Sequence, residues 1–406
     1  MKYIVILTDG MADETYEELN GKTPLEAAHI PFLNRLAAGG EIGLVTTVPE
    51  SMSPGSDVAN LAIIGYDPVR YHNGRSSLEA VSMGIELKDD DITFRCNLVT
   101  LSGEADPRQR TMLDYSAGEI STQESAILMR DLGERLNSEE IRFYPGISYR
   151  NLLVWQGGCG EVSLTPPHDI SGRVVDGYLP EGPCGEMFRN LMEASREILA
   201  DHPVNRERIR RGLAPANSVW FWGMARKPRL DSFRDKYGLN GAVISAVDLI
   251  KGIGISAGMR SIDVEGATGT IHTNFEGKMQ AAVEALDTGS DYLYLHLEAP
   301  DECGHQGDLA GKVRSIELIE QKVVEPLCRW LDSSDHPYRM LILPDHPTPV
   351  RIRTHTREPV PFVLYDSTVS RNRPEQTYSE GAAAASGTHF PGACALVEHF
   401  LGRTGC

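Results

Sequence analysis

The sequence predicts an α/β layered fold, a mostly parallel sheet covered by helices, with an α+β domain inserted into it. Three observations predict it. Short apolar runs alternate with helix-patterned segments at both ends of the chain. Several of those runs stop at an acidic turn. The middle has another texture, with short strand-like pieces rich in Pro and Gly. A chain of 406 residues is also longer than one ordinary core. Residues 1–90 and 226–406 are expected to form the α/β part and 91–225 the insertion.

Taken in order, the elements read as follows. Tyr3–Leu7 is a buried strand that runs into the polar turn "TDGMAD"; it is too short for a signal peptide or a membrane span. "HIPFLNRLAAGG" has helical spacing and a Gly-Gly stop. In the middle, "DITFRCNLVTL", "IRFYPGISYRNLLVW" and "EVSLTP" read as strands, and "STQESAILMRDLGERLN" and "EMFRNLMEASREIL" as helices. Past residue 241, "GAVISAVDLI" precedes Lys251. "DYLYLHLEAPD" is a strand ending in an acidic turn. "DLAGKVRSIELIEQKVVEPLCRWL" is one long amphipathic helix. "YRMLILPDH" and "PVPFVLYD" are two more buried strands.

The formal net charge of −18 argues against nucleic acid or an anionic membrane as partner, since both need basic surface. A small-molecule partner is expected, and if it is anionic its countercharge must be local. Oligomeric state is not encoded legibly. The seven cysteines are odd in number, scattered, and contain no CxxC pair, which predicts reduced thiols in a cytoplasmic protein.

The chemistry begins at the strand ends. Asp9 follows "YIVILT", Asp301 follows "YLYLHLEAP" and Asp345 follows "MLILP". In open α/β sheets ligands bind at the carboxyl ends of strands. If these strands are neighbours, three carboxylates meet at one edge, where they repel unless a cation lies between them. Histidines accompany them. His305 stands four residues after Asp301, one helical turn on; His346 adjoins Asp345; His355 precedes another strand. Three Asp and three His suffice for two divalent ions. Mixed oxygen and nitrogen ligands suit zinc or manganese better than magnesium. Singly, each residue has a plainer role, as a helix cap or a solvated histidine. In "PGSDVANLAIIGYDP", Ser56 reads as the N-cap of a helix. The same helix start also offers amide donors to a phosphate, and a nearby metal ion would activate the hydroxyl.

Asp9 together with "PGSDVANLAIIGYDP", "APDECGH", "LPDHPTP" and "THTREPVPF" resembles the alkaline phosphatase superfamily. More closely, the chain resembles the cofactor-independent phosphoglycerate mutases of the archaeal type. "GKTPLEAAHIPFLNRLA", "FRCNLVT", "DYSAGEIST", "FYPGISYRNLLVW", "TPPHDISG", "GLNGAVISAVDLIKGIGI" and "GATGTIHTNFEGK" extend the resemblance over nearly the whole chain.

That resemblance implies an isomerase interconverting 3- and 2-phosphoglycerate through a phosphoserine at Ser56, with two divalent metals, manganese or zinc ahead of magnesium or cobalt. Asp9, Ser56, Asp345 and His346 would hold one ion; Asp301, His305 and His355 would hold the other. Lys251 would lie near the transferred phosphate. The inserted domain would close over the substrate and exclude water, with Arg150, His168, Asp169, Arg226 and Lys227 as its substrate contacts. One departure is Gly223-Met224-Ala225, where the family often has Gly-x-Gly. Homoserine kinase activity is the alternative on the same core. A phosphatase or phosphopentomutase-like enzyme, and a non-catalytic descendant, are further ones. Cys303, between Asp301 and His305, reads as a buried small residue.

Overall fold

The computed structural model describes residues 1–334 and 336–403. It forms two compact units, one of Met1–His72 together with the chain from Arg229 onward, the other Asn73–Pro228.

The first unit is built on an eight-stranded sheet. From edge to edge its strands are His389–Phe390, Glu41–Val45, Val360–Asp366, Tyr338–Leu343, Lys2–Thr8, Tyr292–Leu297, Gly241–Ile244 and Arg260–Ile262. Val360–Asp366 alone runs against the others. The central strands are apolar on both faces because helices cover both, and their residues are almost wholly buried. Lys2–Thr8 is flanked by Tyr292–Leu297 and Tyr338–Leu343, both parallel to it. Leu7 pairs with His296 on one side and Leu343 on the other. The three strands expected to end in carboxylates are therefore neighbours, and they end at one edge.

Two elements depart from expectation. The segment expected as one long helix is helical throughout, but Leu309–Ile319 and Glu325–Ser333 are joined by a π turn, Glu320–Val324. Pro326 explains it: proline has no N–H to donate and its ring crowds the carbonyl one turn back. "EVSLTP" is not a strand; its one ladder contact is an isolated bridge between Ser163 and Glu181.

The second unit holds Ile92–Leu101 at the centre of an antiparallel sheet, with Met112–Asp114, Ile141–Ile147, Arg150–Trp155 and Ser218–Arg226. Thr122–Leu136 and Gly185–Leu199 pack their apolar faces on it. The departure at Gly223-Met224 is a β-bulge. Trp222 pairs with Arg95 and Ala225 with Thr93, so two residues oppose one, and Gly223 takes φ +60°.

The expectation of reduced thiols is not met at Cys159 and Cys184. Cys159 and Cys184 form a disulfide across 25 residues, with Cα atoms 6.2 Å apart. The cause is local: the Ser163–Glu181 bridge folds the intervening loop back on itself, so residues distant in sequence become neighbours. Cys96, Cys303 and Cys328 are free and buried.

Candidate active site

Asp9, Asp301 and Asp345 lie at the shared strand edge, where residues from other parts of the chain meet them. The ligand atoms of Asp9, Asp345 and His346 lie within 4.8 Å of one another, as do those of Asp301, His346 and His355. His305 joins the second group: its Nε2 is 2.9 Å from His355 Nε2 and 3.3 Å from Asp301 Oδ2. Its Nδ1 lies 3.0 Å from the carbonyl of Arg353, which makes that nitrogen a donor and fixes the ring's orientation. Asp301 and His305 sit one turn apart on the helix Ala299–Gln306. His346 and His355 stack with ring centres 3.8 Å apart.

Ser56 is not the helix cap. Gly55 occupies the cap position, and Ser56 is the first residue of the helix Ser56–Ile64. Its hydroxyl is thereby released from capping and sits 3.1 Å from His346 Nε2. Every other residue of that helix is buried, so packing on all sides fixes where the hydroxyl stands.

The chain approaches closely here. Gly10 has φ +61°, and a Cβ on it would come within 2.5 Å of Thr348 Oγ1 and 2.6 Å of Asp301 Oδ1. Only glycine fits both the backbone and the space. Gly10 N–H donates to Asp345 Oδ1 at 3.1 Å.

Several partners had no counterpart in the sequence reading. Asn60, one turn after Ser56, donates to Asp345 Oδ2 and to the Ser56 carbonyl, both at 2.8 Å, and accepts from Tyr294 at 2.6 Å. Thr47 donates to the Asp345 carbonyl at 2.5 Å. Thr348 donates to Asp301 Oδ1 at 2.5 Å. His296, in the middle of "YLYLHL", lies 2.9 Å from Asp9 Oδ2. The available signal was a polar residue at a position that pattern makes fully buried, as with Asn60 and His296.

Electrostatics agree with a cation-binding role. Burial, with Asp345 and Asp301 alongside, pushes the Asp9 carboxyl well above its ordinary range. Burial acts in the same direction on Asp301, but hydrogen bonds from His305 and His355 override it and hold its carboxyl well below. The hydrogen bond to Asp301 raises His305 to about 9. Burial, aided by His355, lowers His346 and keeps its imidazole neutral and able to ligate. Asp9 Oδ1 is buried without a hydrogen-bond partner. A divalent ion would satisfy that oxygen and relieve the crowding of carboxylates, and the two residue groups offer donors that fit such ions.

The remaining expected residues lie elsewhere. Lys251, on the helix Asp248–Ser256, pairs with Asp263 at 2.7 Å. Arg150 opens the strand Arg150–Trp155, its guanidinium 4.8 Å from the Tyr149 ring. Tyr149 meets Tyr115, Tyr115 meets His168, and His168 meets Trp222, with ring centres 5.8, 6.1 and 5.2 Å apart. Arg150 thus stands at one end of an aromatic row of the second unit, and His168 lies within that row. Asp169 is exposed beside His168 at 3.6 Å. Arg226 ends the strand Ser218–Arg226, and Lys227 pairs with Asp89 at 3.2 Å. Cys303 is buried, and burial pushes its thiol up to about 11.

Comparison with known proteins adds the following. A family model described as 2,3-bisphosphoglycerate-independent phosphoglycerate mutase matches residues 37–205. A protein of that name from Methanosarcina mazei is 50% identical over 366 residues, 90% of each chain. A probable 2,3-bisphosphoglycerate-independent phosphoglycerate mutase from Geobacter sulfurreducens is 49% identical over 99% of this chain and 100% of its own. Among solved structures, a Pyrococcus horikoshii protein superposes with TM-score 0.83 at 26% identity, covering 100% and 98% of the two chains. The cofactor-independent phosphoglycerate mutase of Thermoplasma acidophilum superposes with TM-score 0.68 at 25% identity over 99% of each. Identity of this level over nearly full length is decisive: the chain belongs to the 2,3-bisphosphoglycerate-independent phosphoglycerate mutases.

Proposed function

We propose that this phosphoglycerate mutase interconverts 3-phosphoglycerate and 2-phosphoglycerate by passing the phosphoryl group through Ser56, beside two divalent cations. The observation that carries the proposal is the Ser56 hydroxyl, uncapped and 3.1 Å from His346 within the carboxylate–histidine cluster. Asp9, Ser56, Asp345 and His346 would hold one ion, and Asp301, His305 and His355 the other. Bound there, divalent ions supply positive charge for the transferring phosphoryl oxygens and lower the pKa of a coordinated hydroxyl. Mixed oxygen and nitrogen donors favour manganese or zinc over magnesium, with cobalt also accommodated.

This chain's own residues do the rest. The start of the helix Ser56–Ile64 directs amide hydrogens and the positive end of its dipole at the phosphate. Asn60 holds Asp345 and the Ser56 carbonyl in one geometry. In the first half-reaction Ser56 takes the phosphoryl group and glycerate is left. In the second, the 2-hydroxyl of glycerate takes it back. Water must be kept from phosphoserine, or the enzyme becomes a phosphatase. Gripping of the substrate carboxylate is assigned to Arg150 and His168, supported by their place on one aromatic row, with Asp169, Arg226 and Lys227 as further contacts. Lys251 is assigned to the phosphate, with exchange of its Asp263 partner. We place the enzyme in the cytoplasm, where its phosphorylated substrate is metabolised; no helix among the described residues is long and apolar enough to cross a membrane.

The test is Ser56→Ala. Interconversion should fall to background while two divalent ions still bind, read by calorimetric titration. Retained mutase activity would sink the nucleophile assignment. Phosphoryl transfer from ATP to homoserine by the parent enzyme, without mutase activity, would favour the kinase alternative.

A further inference from the structure

We propose that Lys278, Glu298 and His296 form a buried relay that positions Asp9, leaving one of its oxygens free to ligate a cation. None of the three is a ligand itself. The relay starts on the helix Phe275–Asp287. Lys278 Nζ donates to Glu298 Oε2 at 2.5 Å and to the His296 carbonyl at 2.9 Å. Glu298 Oε1 lies 3.0 Å from His296 Nδ1, and it also accepts from the Ala246 amide at 2.8 Å and from the Ser245 hydroxyl at 3.1 Å. His296 Nε2 lies 2.9 Å from Asp9 Oδ2. The side chains of Lys278 and His296 are wholly enclosed, those of Glu298 and Asp9 nearly so.

The geometry explains the arrangement. The relay holds the His296 ring between two carboxyl groups, each ring nitrogen within hydrogen-bond distance of one of their oxygens, so the ring cannot turn without losing both contacts. Its outcome at Asp9 is asymmetric. Oδ2 is committed to His296, while Oδ1 is buried without a hydrogen-bond partner. Oδ1 is also the oxygen nearer to His346 Nε2, at 3.7 Å. Rotating the carboxylate would break the 2.9 Å bond inside a packed core, so Oδ1 is held towards the Asp9–Asp345–His346 group. Side chains behind a metal ligand commonly tune affinity by 10- to 100-fold.

The inference rests on the reading of Asp9 as a ligand, and one titration separates the two. Protein stripped with chelator is titrated calorimetrically with Mn²⁺, beside thermal melts of the same apo samples. The parent should take two ions; if it takes none, the metal reading itself fails. His296→Ala should weaken one of the two sites by about 10- to 100-fold and leave the other within about twofold. His296→Gln keeps a donor near the Nε2 position and should restore most of the affinity. His296→Asn keeps one near Nδ1 and should not. Glu298→Gln, which retains an acceptor for His296, covers the case in which His296→Ala fails to fold, and should weaken the same site by a smaller factor. Unchanged or tighter binding in His296→Ala would overturn the relay. So would equal weakening of both sites, or equal loss in the Gln and Asn variants, since those are the marks of a general structural role.

Discussion

Asn60 shows at the scale of one residue how the site depends on what surrounds it. It stands in an apolar helix, is fully buried, and satisfies Asp345, the Ser56 carbonyl and the Tyr294 hydroxyl together. Asn60→Ala leaves Tyr294 and Asp345 each short of a partner. A buried group left unsatisfied costs about 1–3 kcal/mol, so urea unfolding should show a loss of that order. Misplacing Asp345 should also lower kcat, by about 10- to 100-fold. Gly10→Ala should cost more, because it combines a left-handed backbone with a Cβ 2.5 Å from Thr348 Oγ1. The clustered acidic residues and histidines were legible in the sequence, since Asp9 and Asp345 follow strands directly and His305 stands one helical turn after Asp301. Asn60, His296 and Thr348 were not. Their importance comes from partners 47 to 287 positions away, and local pattern shows only a polar residue out of place. Ser56 was half legible: the helix start was seen, but the cap belongs to Gly55, one residue earlier.

At the scale of elements, the loops that carry the acidic and histidine cluster are pinned by buried charge. Lys312, on the helix Leu309–Ile319, donates to Asp13 Oδ2 at 2.7 Å, to the Thr348 carbonyl at 2.8 Å and to the Ala12 carbonyl at 3.3 Å. It thereby ties the loop after Asp9 to the loop after His346. Removing one partner of a buried pair leaves the other uncompensated, so Lys312→Met should cost about 3–5 kcal/mol. Adding Asp13→Asn should recover part of that loss, which a double-mutant denaturation series would read. Glu380 accepts from the Asp13 amide and the Thr23 hydroxyl, and burial raises its carboxyl from about 4.5 to about 7. A carboxyl raised on folding contributes stability that is complete below 4.5 and is lost as pH rises through 7. Glu380→Gln should remove that loss, so the variant gains on the parent by at most about 3 kcal/mol between those limits. The sheet was legible because its strands are buried on both faces and stand out as apolar runs. The π turn was not expected because helical periodicity carries across Pro326 with little change. The Cys159–Cys184 pair was missed because its approach depends on a loop folded back by a single bridge.

At the scale of the whole molecule, an acidic chain that acts on a phosphorylated anion needs opposite charge at the site itself. The formal net charge is −18, and three of the carboxylates converge on one strand edge. Their mutual repulsion is what two divalent ions would relieve. With 3-phosphoglycerate as substrate, added chelator should abolish interconversion, and Mn²⁺ should restore it. The two-part organisation could be read as a change of texture along the chain. What the second unit does for the substrate depends on side chains whose roles no local pattern specifies. On the proposed mechanism, phosphate rests on Ser56 between donor and acceptor. Mixing the enzyme with 3-phosphoglycerate, quenching in acid and mapping phosphorylated peptides by mass spectrometry tests it directly. The account predicts phosphate on the peptide carrying Ser56, absent in Ser56→Ala; a protein that turns over without phosphate at Ser56, or carries it on another residue, would contradict it.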